Sequence, residues 1–303
     1  MSQRGMSIIE LLIAMTILLA ILGSVFRLVS PANASAIVQV EIQDMQQRAR
    51  VVTDTLAHDL RLAGAGATLE PRPGPLTEYL PAIAPAAWSG ALADPPGTAR
   101  DDRLTLTYVP PLALATLTTA AIDPGALRLE VADGPFCPAA RPVCGFADGD
   151  LLLAFDGTGR FDTFRLDLSS GMPMLVPCAA AFASHYDAGA TVVRAVSRTY
   201  YRDTGSNEML VLDGAGAPQP IVDHIVALRF EYTAGDGTPL DGELANGPWS
   251  GEGATLFDAD LRRVRRVRVI FTIRSGLSGS GALEIPDLTS AFEIALRNTA
   301  GGP

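Results

Sequence analysis

The hydrophobic residues are concentrated first in one run near the amino terminus. Residues 6–29 read MSIIELLIAMTILLAILGSVFRLV and carry only two charges, Glu10 and Arg27. Because about 20 apolar residues in a helix cross the roughly 30 Å hydrocarbon core of a bilayer, the pattern predicts one membrane-spanning helix. Arg4 precedes the run, and this small positive bias favours a cytoplasmic amino terminus.

A helical period of apolar residues follows directly. It predicts that the helix continues to about residue 63, with one apolar stripe available for packing. We expect Pro31 to bend or locally unwind this helix. His58 lies beside the stripe and is expected to be a partly buried structural histidine. The stripe consists of Val38, Ile42, Met45, Ala49, Val52, Leu56 and Leu60.

The pattern changes again after the helix. Residues 64–103 are rich in proline, which excludes a helix or a central strand and predicts an extended connection across the surface. From residue 104 onward, short segments alternate between apolar and polar residues and are separated by Asp-Gly turns, which predicts antiparallel strands. The predicted fold class is therefore α+β, with a long N-terminal helix packed on an antiparallel, β-sheet-rich globular domain.

The charge and the cysteine content narrow the function classes. The formal net charge is −10, which argues against a nucleic-acid partner because phosphate binding needs a basic face. Three cysteines and three histidines leave little material for a metal or thiol enzyme.

Two kinds of processing fit the apolar run. An ordinary secretory signal would be removed after Ala36, at the small residues of Ala34-Ser35-Ala36. Alternatively, the helix is retained and only residues 1–5 are removed. Glu10 favours retention, because a carboxylate in an apolar helix costs about 2.5–3.5 kcal/mol on insertion scales and has no use in a disposable signal.

The segment from Gly5 to Met15, GMSIIELLIAM, resembles the class III signal of type IV pilins and type II secretion pseudopilins. The resemblance implies that a prepilin peptidase cuts between Gly5 and Met6 and that the new amino terminus is methylated. Met6 departs from the phenylalanine that is usual there. Glu10 then occupies the assembly position of the family, where it can pair with the free amine of a neighbouring subunit, so that each charge offsets the desolvation of the other. The alternative is a Glu10 that only reaches the membrane interface.

Three further blocks resemble PilW-like minor pilins. The first, LAHDLRLAG, closes the long helix, and the last ends in Leu-Arg-Asn; the blocks are residues 56–64, 220–232 and 265–298. The minor pseudopilin J of type II secretion shares this layout. Residues 67–219 match weakly, so no individual activity is carried over for them.

The cysteines suggest one covalent link. Cys137 and Cys144 frame a short loop with two prolines, and a disulfide between them suits an oxidising compartment. The alternatives are that Cys178 pairs with one of them, or that the thiols are free. A zinc site would need further ligands, and only Cys178 is available.

The acidic turns and a cluster of arginines are two further candidate sites. The acidic turns Asp148-Gly149-Asp150 and Asp236-Gly237-Thr238 lack the ligand spacing of a calcium loop, so ordinary turn chemistry is favoured. A basic cluster is favoured as a solvated sheet face that pairs with the acids of this chain, and the alternative is a docking surface for an acidic neighbour. The cluster consists of Arg262, Arg263, Arg265, Arg266, Arg268 and Arg274.

No nucleophile elbow, phosphate loop or dinucleotide fingerprint occurs in the sequence, so we expect no catalytic residue, cofactor or metal. The resemblance implies a minor pilin-like structural subunit, not an enzyme, in the bacterial inner membrane and in the assembled pilus. Its expected partners are the prepilin peptidase, the inner membrane and, through the N-terminal helix, other major and minor pilin subunits. The alternatives are a type II secretion pseudopilin and a secreted β-rich binding or enzymatic domain released after Ala36.

These expectations divide the chain into six segments. They are a leader (1–5), a transmembrane helix (6–29), the periplasmic half of the helix (30–63), a Pro-rich connection (64–103), a β-rich globular domain (104–298) and a tail (299–303).

Overall fold

A computed structural model describes most of the chain. The described residues are 7–66, 76, 80–88, 93–128, 130–132, 143–158, 160–169, 174–177, 182, 184–214, 216–240, 244–251, 256–277 and 285–299.

One long helix, α1, spans Ile8–Leu62 and contains 55 residues. At 1.5 Å per residue it is about 80 Å long. The helix continues through Pro31, so the local unwinding that we expected there is not found. A proline in a helix removes one backbone hydrogen bond, and the helix is assigned without interruption on both sides of it. After Leu62 the chain turns away at Gly64, whose φ of 76° suits a residue without a side chain.

The first part of α1 is apolar and uncovered. Ile8–Val29, 22 residues with a mean hydropathy of 2.5, is long and apolar enough to cross a membrane, and none of it is buried against the rest of the protein.

Fifteen strands follow α1 in the described chain, together with 3-10 helices at Val143–Gly145 and Ala259–Arg263. The strands are β1 Ile83–Ala84, β2 Arg103–Tyr108, β3 Ala115–Leu117, β4 Leu151–Phe155, β5 Phe161–Asp167, β6 Met174–Pro177, β7 Thr191–Arg194, β8 Val196–Asp203, β9 Glu208–Asp213, β10 Gln219–Val222, β11 Ile225–Ala234, β12 Trp249–Ser250, β13 Phe257–Asp258, β14 Val264–Ile273 and β15 Leu288–Ala295.

The strands form three main antiparallel sheets and one short pair. Sheet 1 has the order β1-β2-β8-β9-β10, sheet 2 the order β3-β7-β4-β5-β6, and sheet 3 the order β11-β14-β15, while β12 pairs with β13. Only Ala195 separates β7 from β8, so the chain passes from sheet 2 to sheet 1 at that buried residue. One long helix beside antiparallel sheets is the predicted α+β arrangement.

The main core lies between the outer half of α1, sheets 1 and 3, and one face of sheet 2. Met45, Val52, Leu56 and Leu60 of the predicted stripe are buried in it, and Val38 and Ala49 pack against its margin. Ile42 stays 38% exposed. The stripe prediction is thus confirmed from about residue 45 onward. Sheet 2 has a second, smaller core of its own.

The Pro-rich connection differs from expectation in its described part. Leu76, Leu80 and Ile83 are buried in the main core, and β1 pairs with β2. The leucine, isoleucine and alanine residues between the prolines supply apolar surface that the core covers. The expected course across the surface therefore does not hold for these residues.

Candidate assembly and helix-docking site

The helix begins with a reciprocal hydrogen-bonding arrangement at Ser7 and Glu10. The Ser7 hydroxyl accepts from the Ile9 N–H at 3.3 Å, and Glu10 Oε2 accepts from the Ser7 N–H at 3.4 Å. This capping box satisfies two N–H groups that have no partner within the helix. Both residues are exposed, so the Glu10 carboxylate is accessible to a second chain. Gly5 and Met6, the predicted cleavage pair, lie outside the described residues.

A buried carboxylate joins the other end of the helix to sheet 1. Asp59 Oδ2 accepts a hydrogen bond from Tyr200 Oη at 2.5 Å and one from Arg198 Nη1 at 2.8 Å. The Asp59 side chain is 2% exposed and that of Arg198 is 34% exposed. A carboxylate this deeply buried needs an opposite charge and hydrogen-bond donors, and strand β8 supplies both.

The pKa values around Asp59 follow from this arrangement. Burial raises the pKa of Tyr200 well above its usual value, and the hydrogen bond to Asp59 adds to the rise. Burial lowers the pKa of Arg198, but the hydrogen bond and the charge of Asp59 raise it by more, so the net shift is upward. Tyr200 is therefore a neutral donor and Arg198 a permanent cation throughout the physiological range.

Two polar contacts hold the middle of α1. Arg48 Nε lies 2.8 Å from an oxygen of Asp223, in the short link between β10 and β11. The Arg48 charge lowers the pKa of Asp223 against the opposing effect of burial, which keeps this carboxylate ionised. Seven residues earlier, Glu41 Oε1 accepts the Gly276 N–H at 2.6 Å, just after β14. A side chain at position 276 would meet His224 Nε2 at 3.3 Å, so glycine allows this close approach.

The carboxyl-terminal end of α1 is capped from the far end of the chain. Asn298, three residues after β15, donates its side-chain amide to the carbonyl oxygens of Arg61, Leu62 and Ala63 at 3.1, 3.4 and 3.3 Å. The helix itself supplies no N–H donor for these carbonyls. The Leu62 carbonyl also accepts from the Ala65 N–H at 2.9 Å, and Asn298 adds a side-chain donor for all three.

These contacts bring together the three blocks that resemble PilW-like minor pilins. The helix block supplies Asp59, the second block supplies Asp223, and the third supplies Gly276 and Asn298. Sequence periodicity placed Asp59 off the packing stripe and so did not predict that it is buried. The position of Asp59 in the block that resembles PilW-like minor pilins was the sequence feature that marked it.

His58 is exposed, so the expectation that it is partly buried was wrong. It points away because the neighbouring Ala57, Asp59 and Leu60 occupy the packed face.

The remaining candidate sites have structural explanations where the structure describes them. Cys144 is disulfide-bonded, whereas Cys137 and Cys178 lie outside the described residues, so the Cys137–Cys144 pairing stays a prediction. Asp148 and Asp150 accept backbone N–H groups of Leu168 and Ala147. The described part of the chain contains no group of three His, Cys, Asp or Glu residues that could hold a metal ion.

The basic cluster pairs with acids of the same chain. Arg266 lies 3.5 Å from Glu293, Arg268 lies 3.6 Å from Glu231, and Arg274 lies 3.3 Å from Asp287. Arg263 pairs with Asp260, Arg262 lies over the Phe257 ring, and Arg265 donates to the Arg262 carbonyl. A solvated sheet face with its own counter-ions accounts for the cluster.

Comparison with known proteins gives a match at the amino-terminal end of the chain. Residues 1–26 match the family model described as the prokaryotic N-terminal methylation motif. The matched residues include the predicted cleavage pair, Glu10 and most of the exposed apolar helix. The motif, at the start of an uncovered apolar helix, supports a type IV pilin-like or pseudopilin-like protein. No curated protein and no solved structure matches the chain.

The prepilin motif carries two implications for the pilin-like chain. It implies processing by a prepilin peptidase and assembly with other pilins. Together with the exposed apolar helix it supports membrane anchoring, and it indicates a structural subunit rather than an enzyme.

Proposed function

We propose that this pilin-like chain is a minor structural subunit of a type IV pilus that takes part in assembly, priming or tip presentation after prepilin peptidase processing. The prepilin motif on an uncovered apolar helix is the observation that carries the proposal. The helix would lie in the bacterial inner membrane with its amino terminus in the cytoplasm and the β-rich domain in the periplasm. Glu10 would select the register between stacked helices.

The division of the helix supports this role. The apolar side chains of Ile8–Val29 are exposed and cannot stay in water, so in the membrane they face lipid and in a filament they must face other subunits. From Met45 onward, the apolar stripe of the helix is buried against its own globular domain. A subunit of this kind can leave the bilayer only if neighbouring helices replace the lipid around the first half of α1.

Mass spectrometry of the amino terminus of the protein from its native host tests the processing step. The expected mature chain starts at Met6, with or without a methyl group. A chain that starts at Ile37 would contradict the proposal and leave a secreted domain, and a chain that keeps residues 1–5 would show that the motif is not processed.

Replacing Glu10 tests the assembly role. Glu10→Ala removes the carboxylate that would pair with the amine of a neighbour, so we expect the protein to accumulate in the membrane and to be lost from sheared pili. Thr16→Ala is the matched control, because among the described residues the Thr16 hydroxyl bonds only to the Ile13 carbonyl of its own helix. Equal recovery of both variants in pili would contradict the role of Glu10.

A deletion strain distinguishes the two machines that use such subunits. Loss of surface pili with normal protein secretion is the result expected for a pilus subunit. Normal piliation with a loss of type II secretion would move the chain to the secretion pseudopilus and refute the pilus assignment.

A further inference from the structure

Strand β15 lies at an open edge of sheet 3. It pairs with β14 on one side, from Arg266 opposite Ala295 to Ile273 opposite Leu288. In the same register, the Leu296 N–H donates to the Arg265 carbonyl at 2.8 Å. In an antiparallel pair, alternate residues bond to the partner strand. The even-numbered residues of β15 therefore face β14, and the odd-numbered residues direct their N–H and C=O groups outward.

The outward backbone groups are open for pairing. Thr289, Ala291, Glu293 and Ala295 are exposed, and their N–H and C=O groups have no hydrogen-bond partner among the described residues. Their side chains are small except for Glu293. The alternate residues Phe292 and Ile294 pack against the margin of the main core, which would place the apolar side chains of an added strand beside them.

The other edges of the three main sheets are short, interrupted by proline, or covered, as far as the structure describes them. β1 and β3 have two and three residues, β6 ends in Pro177, and β10 contains Pro220. On β11, the Phe230 N–H donates to the Asp101 carbonyl at 2.8 Å, and the Tyr232 carbonyl accepts from Leu240 at 2.9 Å. Short strands, prolines and covering loops are the means by which proteins protect sheet edges.

We infer that the outer edge of β15 binds an extended segment of another protein chain by strand addition, with a basic side chain of that segment opposite Glu293. A backbone edge recognises a backbone, so the occupant must be an extended peptide. Glu293 is half exposed, and its contact with Arg266 is long at 3.5 Å. Ala291 and Ala295 flank it on the same face and leave room for the stem of a lysine or arginine.

The test uses the full-length protein in lipid nanodiscs and a fluorescently labelled peptide, acetyl-TVTVRVTVT-amide. Its sequence reads the same in both directions, so it can pair parallel or antiparallel. Its valines would lie beside Phe292 and Ile294, and its arginine opposite Glu293. Fluorescence anisotropy measures binding. The same peptide with methyl groups on the backbone nitrogens of its arginine, threonine and valine residues is a control that cannot form the ladder in either direction.

Two variants locate the binding site. Ala291→Pro removes one outward N–H and leaves the hydrogen bonds to β14 in place. It should raise the Kd of the peptide about tenfold. Glu293→Arg should raise the Kd of the arginine peptide about threefold. It should lower the Kd of a peptide with glutamate at its centre by a similar factor. Glu130→Arg makes the same charge change at an exposed position elsewhere and should alter neither affinity.

The outcomes are distinct. Saturable binding that Ala291→Pro weakens and that Glu293→Arg switches to the glutamate peptide supports strand addition at β15. If wild type shows no saturable binding, or if Glu293→Arg and Glu130→Arg behave alike, the inference is overturned. Because the charge switch does not depend on the proline variant, misfolding of Ala291→Pro would not decide the outcome. The inference goes beyond the proposed function: this assay needs no filament, whereas Glu10→Ala tests the filament role alone.

Discussion

The Asp59→Ala variant is the sharpest test of how α1 is attached to its domain. The substitution removes the acceptor of both Tyr200 and Arg198. Tyr200 is 1% exposed, so its hydroxyl has no water to replace the lost carboxylate. Arg198 is one-third exposed and lies 3.6 Å from Asp213, so it retains a counter-ion and some solvent.

These two partners set the size of the effect. A buried donor left without an acceptor costs about 1–3 kcal/mol. The loss of a fully buried ion-pair partner costs about 3–5 kcal/mol, but the exposure of Arg198 reduces its share to about 1 kcal/mol. We therefore expect Asp59→Ala to lower the free energy of unfolding by about 2–4 kcal/mol. Asp59→Asn keeps an acceptor for Tyr200 and should lose less than the alanine variant.

Urea unfolding of the full chain in detergent, followed by tryptophan fluorescence, measures this difference. Asp54→Ala is the matched control, because Asp54 is an exposed aspartate on the same helix. A double variant with Tyr200→Phe should be less destabilised than the sum of the two single variants, since both remove the same hydrogen bond. If Asp59→Ala unfolds at the same urea concentration as Asp54→Ala, the buried carboxylate does not hold the helix and the reasoning fails.

Three further predictions concern the helix cap, a histidine and the disulfide. Asn298→Ala leaves the last carbonyls of α1 without their side-chain amide donor and should lower the free energy of unfolding in urea by about 1 kcal/mol; an unchanged value would contradict the cap. The hydrogen bonds of His185 with Asp123 and Asp187 raise its pKa, so the stabilising contact should be complete below about pH 6.5 and lost as the pH rises through the raised value. An NMR titration should show the His185 pKa falling in Asp123→Asn, and an unchanged pKa would exclude that partner. Peptide mapping of the unreduced protein should recover Cys137 linked to Cys144, and a link to Cys178 would replace that pairing.

The sequence was a good guide wherever a local pattern decided the structure. The apolar run and the stripe that followed it predicted α1, and alternation predicted antiparallel strands. Local pattern failed where distant segments decide burial. Asp59 has the composition of a solvent-facing residue and is buried only because β8 brings Arg198 and Tyr200 to it. Likewise, the proline content of the connection gave no information on what would cover Leu76 and Leu80.

The polar contacts along α1 explain why a helix of this length can serve two purposes. Described contacts between the helix and its domain begin near Val38 and Glu41 and continue to the Asn298 cap. The same interval contains the buried Asp59, whose loss would loosen the end of the helix. An apolar face alone would allow the helix to slide or rotate on the sheets, because hydrophobic contact has little directional preference. Charged and capped contacts at several heights fix one rotation and one axial position. The exposed apolar half then leaves the domain in a defined direction, which stacked subunits require for Glu10 to meet its partner at a constant register.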